Sequence, residues 1–237
     1  KDSELIVIDS NHFVNEDEEK FISQSKKSRI INSINNWFQL YFEIIPPDFL
    51  LNKKIKKTRS LYHLFVKRFL DLFFSIVILT ISSPLLILSG LLIKIEDGGP
   101  ILYKQKRCGK NQIFFNIYKL RTMRVDSEAK GIKWSNKNDP RVTLIGTYLR
   151  KCRIDELPQL INVLKGEMSL IGPRPERPEI DIKLKEHIKH YFYRYTVLPG
   201  ISGWAQVNYN YGASIADSYN KVSYDNYYVQ NNTFILD

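Results

Sequence analysis

The chain has 237 residues, of which 43% are hydrophobic, with a formal charge of +10 and a pI near 9.4. That length can bury a sizeable core, and the positive surplus calls for an anionic partner: nucleic acid, an anionic membrane face or a phosphorylated substrate. Cys108 and Cys152 have no CxxC or Cys/His spacing, so they give no disulfide framework and fit a reducing, cytosolic setting.

The chain opens on KDSELIVIDS, without a starting Met or a signal peptide, and stops at NNTFILD, so both ends read as cut from a longer protein. Leu5–Ile8 is a short apolar run that predicts a buried strand, with Asp9 and Ser10 as a cap. A helix is expected over residues 17–42, where Ile30, Ile34, Trp37, Phe38 and Tyr41 recur at three- and four-residue steps until Pro46 and Pro47 end it. Residues 1–51 therefore read as the closing βα unit of an upstream α/β, Rossmann-like domain. The alternative is an amphipathic anchor lying on a membrane.

Residues 52–66 form a basic linker with Lys53, Lys54, Lys56, Lys57 and Arg59. Beyond it Leu72–Ile93 runs for 22 residues without a charge, long enough at about 1.5 Å per residue to reach across a ~30 Å hydrocarbon core. Two features argue against a simple span. Ser83-Pro84 falls near its middle, where Pro removes a backbone donor, and the basic flanks on both sides prefer the cytoplasmic side. A re-entrant helix–break–helix over residues 67–95, entering and leaving one leaflet, satisfies both.

Residues 96–237 turn globular. The segment from Glu96 to Met123 predicts a turn, a strand, a hairpin-like RCGKNQ turn and a second strand carrying Phe114, Phe115, Ile117 and Tyr118. A turn at Asp139-Pro140 precedes a helix from about Thr143. Asp155–Leu164 predicts a further helix, with Leu157, Leu160, Ile161 and Leu164 on one face, Asp155 as cap, Pro158 in the first turn and Gly166 at the end. A polar helix is expected over Glu179–His190, an aromatic loop over VLPGISGWAQVNYNYG and a last helix over Tyr219–Tyr228. The fold class is thus α+β and membrane-associated, a small domain of helices and a short sheet behind a monotopic anchor.

Asp155 and Glu156 sit among Arg150, Lys151, Arg153 and Arg174, with Lys119 and Arg121 in YKLRTM as further cations. A helix N-terminus surrounded by cations keeps a carboxylate ionised, and such a carboxylate can attack phosphorus while the cations neutralise phosphate oxygens. Its acidic neighbour can ligate Mg²⁺ or take a proton. The bland alternative is a capped helix with a surface ion-pair network.

From Lys67 to Asp237 the chain resembles the bacterial sugar transferase family, the monotopic polyprenyl-phosphate glycosyl-1-phosphate transferases. The matching segments are KRFLDL, SSP, GGPILYKQKRCG, FNIYKLRTM, DPRVTLIGTYLRK, RIDELPQLINVLKGEMSLIGPRPERPE, RYTVLPGISGWAQVNYNYG and KVSYDNYYVQN, in family order and spacing. The first 50 or so residues are similar to the end of the modified α/β domain of the long members, which carry four transmembrane helices further upstream. Cys108 departs from the small aliphatic residue usual in the family.

The resemblance implies that Asp155 is the nucleophile on the β-phosphate of a UDP-sugar, giving a phosphosugar-aspartyl enzyme and UMP. Glu156 would complete the dyad, tied with Asp155 to Mg²⁺ (or Mn²⁺) and to activation of undecaprenyl phosphate. Lys119, Arg121, Arg141, Arg153 and Arg174 match phosphate-holding positions. Asp139, Gln159, Glu176, Arg177 and Glu179 are weaker candidates for site support, and Ser83 and Pro84 match the helix-breaking pair. The implied setting is the cytoplasmic face of the bacterial inner membrane, at the first membrane step of exopolysaccharide, capsule or O-antigen assembly. The partners are the two substrates and membrane lipid, with room for a homodimer. Nucleic acid is excluded as a partner, because such binding leaves the uncharged run unexplained and the aromatics form no RNA or DNA motif. A catalytically idle membrane scaffold of the same fold is the alternative.

Overall fold

The computed structural model describes residues 5–8, 30–50, 65–127, 139–210, 212 and 214–237. Strands β1 (Leu5–Ile8) and β2 (Ile30–Ser33) pair in parallel, with Leu5 opposite Ile30, and helix α1 (Ile34–Phe42) follows directly. The connection between them, residues 9–29, lies outside the described residues. The expected helix starts later than its periodicity implied. The β-branched pair Ile30-Ile31 favours extended backbone, and the ladder to β1 satisfies its polar groups. Residues 17–29 of that helix and most of the basic linker lie outside the described residues.

The segment after α1 is tied to the last helix, α7 (Ile215–Asn231). Ile45 is fully buried, its N–H donates to Ser223 O at 2.9 Å, and its carbonyl accepts from Asn226 Nδ2 at 3.1 Å.

Helix α2 (Lys67–Asp97) is one continuous helix of 31 residues, long and apolar enough to cross a membrane. The two helices expected on either side of Ser83-Pro84 are therefore joined. Pro84 lacks the N–H that the carbonyl of Thr80 would accept, and the Ser83 hydroxyl donates to that carbonyl instead, at 2.8 Å. Thr80 and Ser82 bond back to Ile76 O and Ile78 O in the same way, so these hydroxyls are satisfied within the helix.

Both ends of α2 rest on the same domain. At its start, Arg68 donates to the carbonyls of Val163 (2.7 Å) and Leu164 (3.2 Å), Asp71 accepts from Leu170 N–H at 3.0 Å, and Lys67 pairs with Asp237 at 2.8 Å. At its end, Ile93 packs with Leu120 and Leu149, and Glu96 accepts from Ile145 N–H at 3.3 Å. Between these anchors the large side chains of Ile76, Ile81 and Ile87 are 55%, 76% and 65% exposed.

Strands β3 (Leu102–Cys108) and β4 (Phe114–Leu120) form the expected antiparallel hairpin, with Tyr103 opposite Lys119 and Arg107 opposite Phe115. Phe115 and Ile117 pack with Val163 and Met168, each such side chain contributing about 1.5 to 3 kcal/mol. Thr143 caps helix α3 (Leu144–Lys151), accepting from Gly146 N–H at 3.0 Å.

The helix expected from Asp155 onward is instead a 3₁₀ turn over Ile154–Gln159 followed by α4 (Leu160–Lys165). Asp155 does not cap it. Arg153 holds the entry position with a left-handed φ of 58°, which turns the chain sharply out of α3. Gly166, at φ 83°, ends α4 as expected.

Strand β5 (Ser169–Ile171), helix α5 (Pro178–His187) and a 3₁₀ turn at Tyr191–Thr196 follow. The aromatic stretch expected to be loop contains β6 (Gly200–Ser202), parallel to β5, and the short helix α6 (Trp204–Asn208). The strands approach so closely that a Cβ on Gly200 would lie 2.1 Å from Gly172 N, which only glycine permits. Helix α7 starts at a Ser214–Asp217 capping box, four residues before the predicted start.

Candidate active site

The site is built on the inner face of β4. Side chains alternate along a strand, so Lys119 shares a face with Phe115 and Ile117. The fully buried Asn162 docks α4 on this strand through its side-chain amide, which accepts from Tyr118 N–H at 3.1 Å and donates to Asn116 O at 2.7 Å. That docking brings the Ile154–Gln159 turn over Lys119.

The Glu156 carboxylate meets two cations there. Its Oε1 accepts from Lys119 Nζ at 2.9 Å and Arg174 Nη2 at 2.6 Å, its Oε2 from Arg174 Nη1 at 3.3 Å, and Arg153 Nη1 stands 3.9 Å away. Burial alone would raise the Glu156 carboxyl, but Arg174 and Lys119 outweigh it and hold it well below the usual carboxylate range. Asp155 is 7% exposed, and its Oδ1 accepts from no group among the described residues. Burial raises its carboxyl; Lys119 opposes this and the Glu156 charge adds to it. Lys119 is drawn down to about 8 by burial and by the nearby Arg174 charge.

Lys119, Arg153 and Arg174 thus join Asp155 and Glu156 as expected. Two other predicted phosphate holders do not. Arg121 grips Asp97 at the end of α2, with Nη1 2.5 Å from Oδ2 and a second contact from Nη2 to Oδ1, and its Nε donates to Pro100 O at 2.6 Å. Its fork fits a carboxylate as well as a phosphate, and the helix end claims it. Arg141 pairs with Asp139 two residues away, through Nε at 2.9 Å and Nη2 at 2.6 Å, so those two support a turn.

Of the weaker candidates, Gln159 is fully buried beneath the turn, with Nε2 lacking a partner among the described residues. Glu176 lies 3.9 Å from Arg107, Arg177 precedes α5, and Glu179 occupies its first turn, where a carboxylate suits the helix N-terminus. Two further arginines meet the site: Arg107, which the sequence does not single out, and Arg150, which it shows only as a neighbouring charge. Arg107 alternates with Lys104 and Lys106 on β3 and shares the inner face, where burial draws it down to about 10. Its Nη1 donates to Pro175 O at 3.0 Å, behind Arg174. Arg150 donates to Thr122 Oγ1 at 2.8 Å, and its charge reaches Asp155. Cys108, buried against Asp181, is pushed up to about 12 and is chemically quiet.

Among the described residues no three His, Cys, Asp or Glu side chains converge as a metal cage. The donors at hand are Asp155, with a spare oxygen, and Glu156, already engaged by two cations. This set fits a Mg²⁺-type ion carried by one or two carboxylates and completed by phosphate oxygens and water.

Fold and site together define an α+β protein with a long apolar helix and a cation-lined carboxylate pair suited to phosphate groups. Residues 62–237 match the family model described as bacterial sugar transferase, and the chain belongs to that family. It is similar to a protein of Aeromonas hydrophila named UDP-N-acetylgalactosamine-undecaprenyl-phosphate N-acetylgalactosaminephosphotransferase, with 45% identity over 173 residues, covering 73% of this chain and 41% of the relative. The exopolysaccharide production protein PSS of Rhizobium leguminosarum bv. phaseoli is 39% identical over 180 residues, covering 73% of this chain and 90% of its own. The UDP-glucose:undecaprenyl-phosphate glucose-1-phosphate transferase of Escherichia coli (strain K12) is 40% identical over 143 residues, covering 60% and 31% respectively. The chain thus spans less than half the length of the Aeromonas and Escherichia relatives.

Proposed function

We propose that the protein transfers a sugar-1-phosphate from a UDP-sugar to undecaprenyl phosphate, with release of UMP. The observation that carries this reading is the unpartnered, buried Oδ1 of Asp155 beside a ring of cations. A carboxylate without hydrogen-bond donors keeps its basicity, and the cations draw a diphosphate to it. Asp155 attacks the β-phosphorus, the bond from that phosphorus to UMP breaks, and UMP leaves with the bonding electrons. A phosphate oxygen of undecaprenyl phosphate then attacks the same phosphorus, and the Asp155 carboxylate departs. Lys119 and Arg174 neutralise the phosphate oxygens in both steps. Mg²⁺ or Mn²⁺, held by Asp155 with an oxygen of Glu156, would supply further charge neutralisation, and activity is expected to vanish in excess chelator.

The same reading places α2 in the cytoplasmic leaflet of a bacterial inner membrane. Its two ends grip one domain, and its exposed apolar middle enters lipid between them, so that a lipid-borne phosphate meets the site at the interface. The product would be the first lipid-linked sugar of a surface polysaccharide. The named relatives act on different sugars, so the sugar is to be found with a panel of UDP-sugars.

The test uses purified protein in detergent. UMP is expected from UDP-sugar before any lipid is added, at up to one per enzyme, with ping-pong initial-rate kinetics once undecaprenyl phosphate is present. Strict dependence of UMP release on the lipid would overturn the covalent route in favour of direct attack. Asp155→Asn should abolish capture of labelled sugar phosphate.

A further inference from the structure

Arg194 lies in the Tyr191–Thr196 turn and is 7% exposed, behind the carboxylate pair. Its guanidinium is fully engaged. Nη1 donates to Tyr191 Oη at 2.7 Å, Nη2 donates to Arg174 O at 2.7 Å, and Nη2 stands 2.9 Å from Asp225 Oδ2 on α7. Asp225 is 2% exposed. A buried ion pair gains little stability over apolar side chains of similar volume. What this pair does gain is a rigid donor held against one backbone carbonyl.

That carbonyl belongs to an unusual loop. Pro173 and Pro175 flank Arg174, so the amide donors on both sides of it are missing and the loop cannot donate as a regular ladder does. It is gripped through its carbonyls instead. Pro173 O accepts from Gly200 N–H at 3.0 Å, Pro175 O from Arg107 at 3.0 Å, and Arg174 O from Arg194 at 2.7 Å. In front of the loop, Arg174 Nη2 reaches Glu156 Oε1 at 2.6 Å.

We infer that Arg194, paired with Asp225, is a positioning residue that fixes the Arg174 backbone and so aims the Arg174 guanidinium at Glu156 and at the phosphate beside it. The role rests on the phosphoryl transfer proposed above. A misplacement of about 1 Å in a charge-stabilising group costs on the order of 100-fold in rate.

The variant to make is Arg194→Lys, which keeps a positive charge opposite Asp225 but cannot serve Asp225, Tyr191 and Arg174 O together. With the whole chain in detergent, and assayed well below the variant's lowered melting temperature, kcat for UMP release should fall about 10- to 100-fold with KM for UDP-sugar nearly unchanged. In an Arg174→Ala background the same substitution should cost less than about twofold, because its effect passes through Arg174. Equal losses in both backgrounds would overturn the inference. Should Arg194→Lys fail to fold, Arg194→Gln with Asp225→Asn removes both charges at once and enters the same cycle. A substrate-free structure of either variant gives an answer independent of turnover. Loss of the contact between Arg174 and Glu156 supports the role, and retention overturns it. If the parental protein releases no UMP from any UDP-sugar, the transfer reading fails, while the structural comparison still decides the positioning role.

Discussion

Asp155 and Glu156 are adjacent in the chain and opposite in their bonding: Glu156 is held by Arg174 at 2.6 Å and Lys119 at 2.9 Å, while the buried Oδ1 of Asp155 has no partner among the described residues. The first arrangement stabilises the fold and the second strains it. Burial raises Asp155, so the folded chain binds its proton more readily than the unfolded chain does. The cost of ionising it is present above the raised folded value, shrinks as pH falls through that value and is gone below the unfolded one. Asp155→Asn should therefore melt higher at pH 7, by about 1 to 2 kcal/mol, with the gain vanishing near pH 4. Glu156 has the opposite sign. Its folded value is depressed, so its contribution is full above the unfolded value and is lost progressively as pH falls from there toward the folded one. Glu156→Gln should cost about 2 kcal/mol at pH 7. Thermal melts of both variants across pH check this, and destabilisation by both would refute the division of roles.

For the proposed transfer, Lys119 predicts an alkaline limit. Burial and the nearby Arg174 charge draw its ammonium down to about 8, so the cation proposed to hold phosphate is lost as pH rises through that value. kcat/KM for UDP-sugar should decline above about pH 8, since this ratio reports the free enzyme. Lys119→Arg stays charged and should move the decline upward, even at reduced rate. A parental profile flat to about pH 9.5 would remove Lys119 from this role.

Lys119 was legible in the sequence because period-two alternation puts a charge in phase with Phe115 and Ile117, where an apolar residue would otherwise stand. The same alternation marks Arg107 against Lys104 and Lys106. Arg174 carries no such local signal. The sequence shows it as one cation near the Asp155-Glu156 pair, but its meeting with Glu156 depends on a loop fixed through carbonyls by distant elements. The apolar spacing of Leu157, Leu160, Ile161 and Leu164 correctly gave a helix but hid the 3₁₀ turn before it. That turn follows from the left-handed backbone at Arg153, a residue whose type does not announce such a conformation.

Arg121 shows the converse, a cation whose type fitted phosphate and whose place does not. Its guanidinium holds Asp97 at about 2, chiefly through the side-chain hydrogen bond, and fastens the end of α2 to the domain. Arg121→Met should lower the melting temperature while KM for UDP-sugar changes by less than about twofold, as expected of a group that does not bind the substrate. The stabilisation from Asp97 is present above its unfolded value and lost as pH falls from about 4 toward 2, so the melting difference should narrow in that window. A KM raised tenfold without loss of stability would return Arg121 to the phosphate site.

The pair Ser83-Pro84 tests how α2 meets the membrane. Pro84 leaves the Thr80 carbonyl without its backbone donor, and Ser83 covers it at 2.8 Å. In lipid an uncovered carbonyl costs more than at a wet surface, so Ser83→Ala should destabilise by about 1 kcal/mol or more. Pro84→Leu restores the backbone donor. Ser83→Ala should therefore be nearly silent when combined with it, a non-additivity that thermal melts in detergent would detect. Topology is read separately. Phe65 and Ile95 are 68% and 80% exposed at opposite ends of α2, and cysteines placed there can react with an impermeant maleimide once the exposed Cys152 is replaced by Ser. In intact spheroplasts neither should label, and after lysis both should, because both ends of α2 hold one domain, which is proposed to face the cytoplasm. Pro84→Leu removes the stretch's proline and favours a straight span, which places one of the two cysteines outside. Labelling of either end in the parental protein from outside would show that α2 spans the bilayer, and the leaflet-bound arrangement would be wrong.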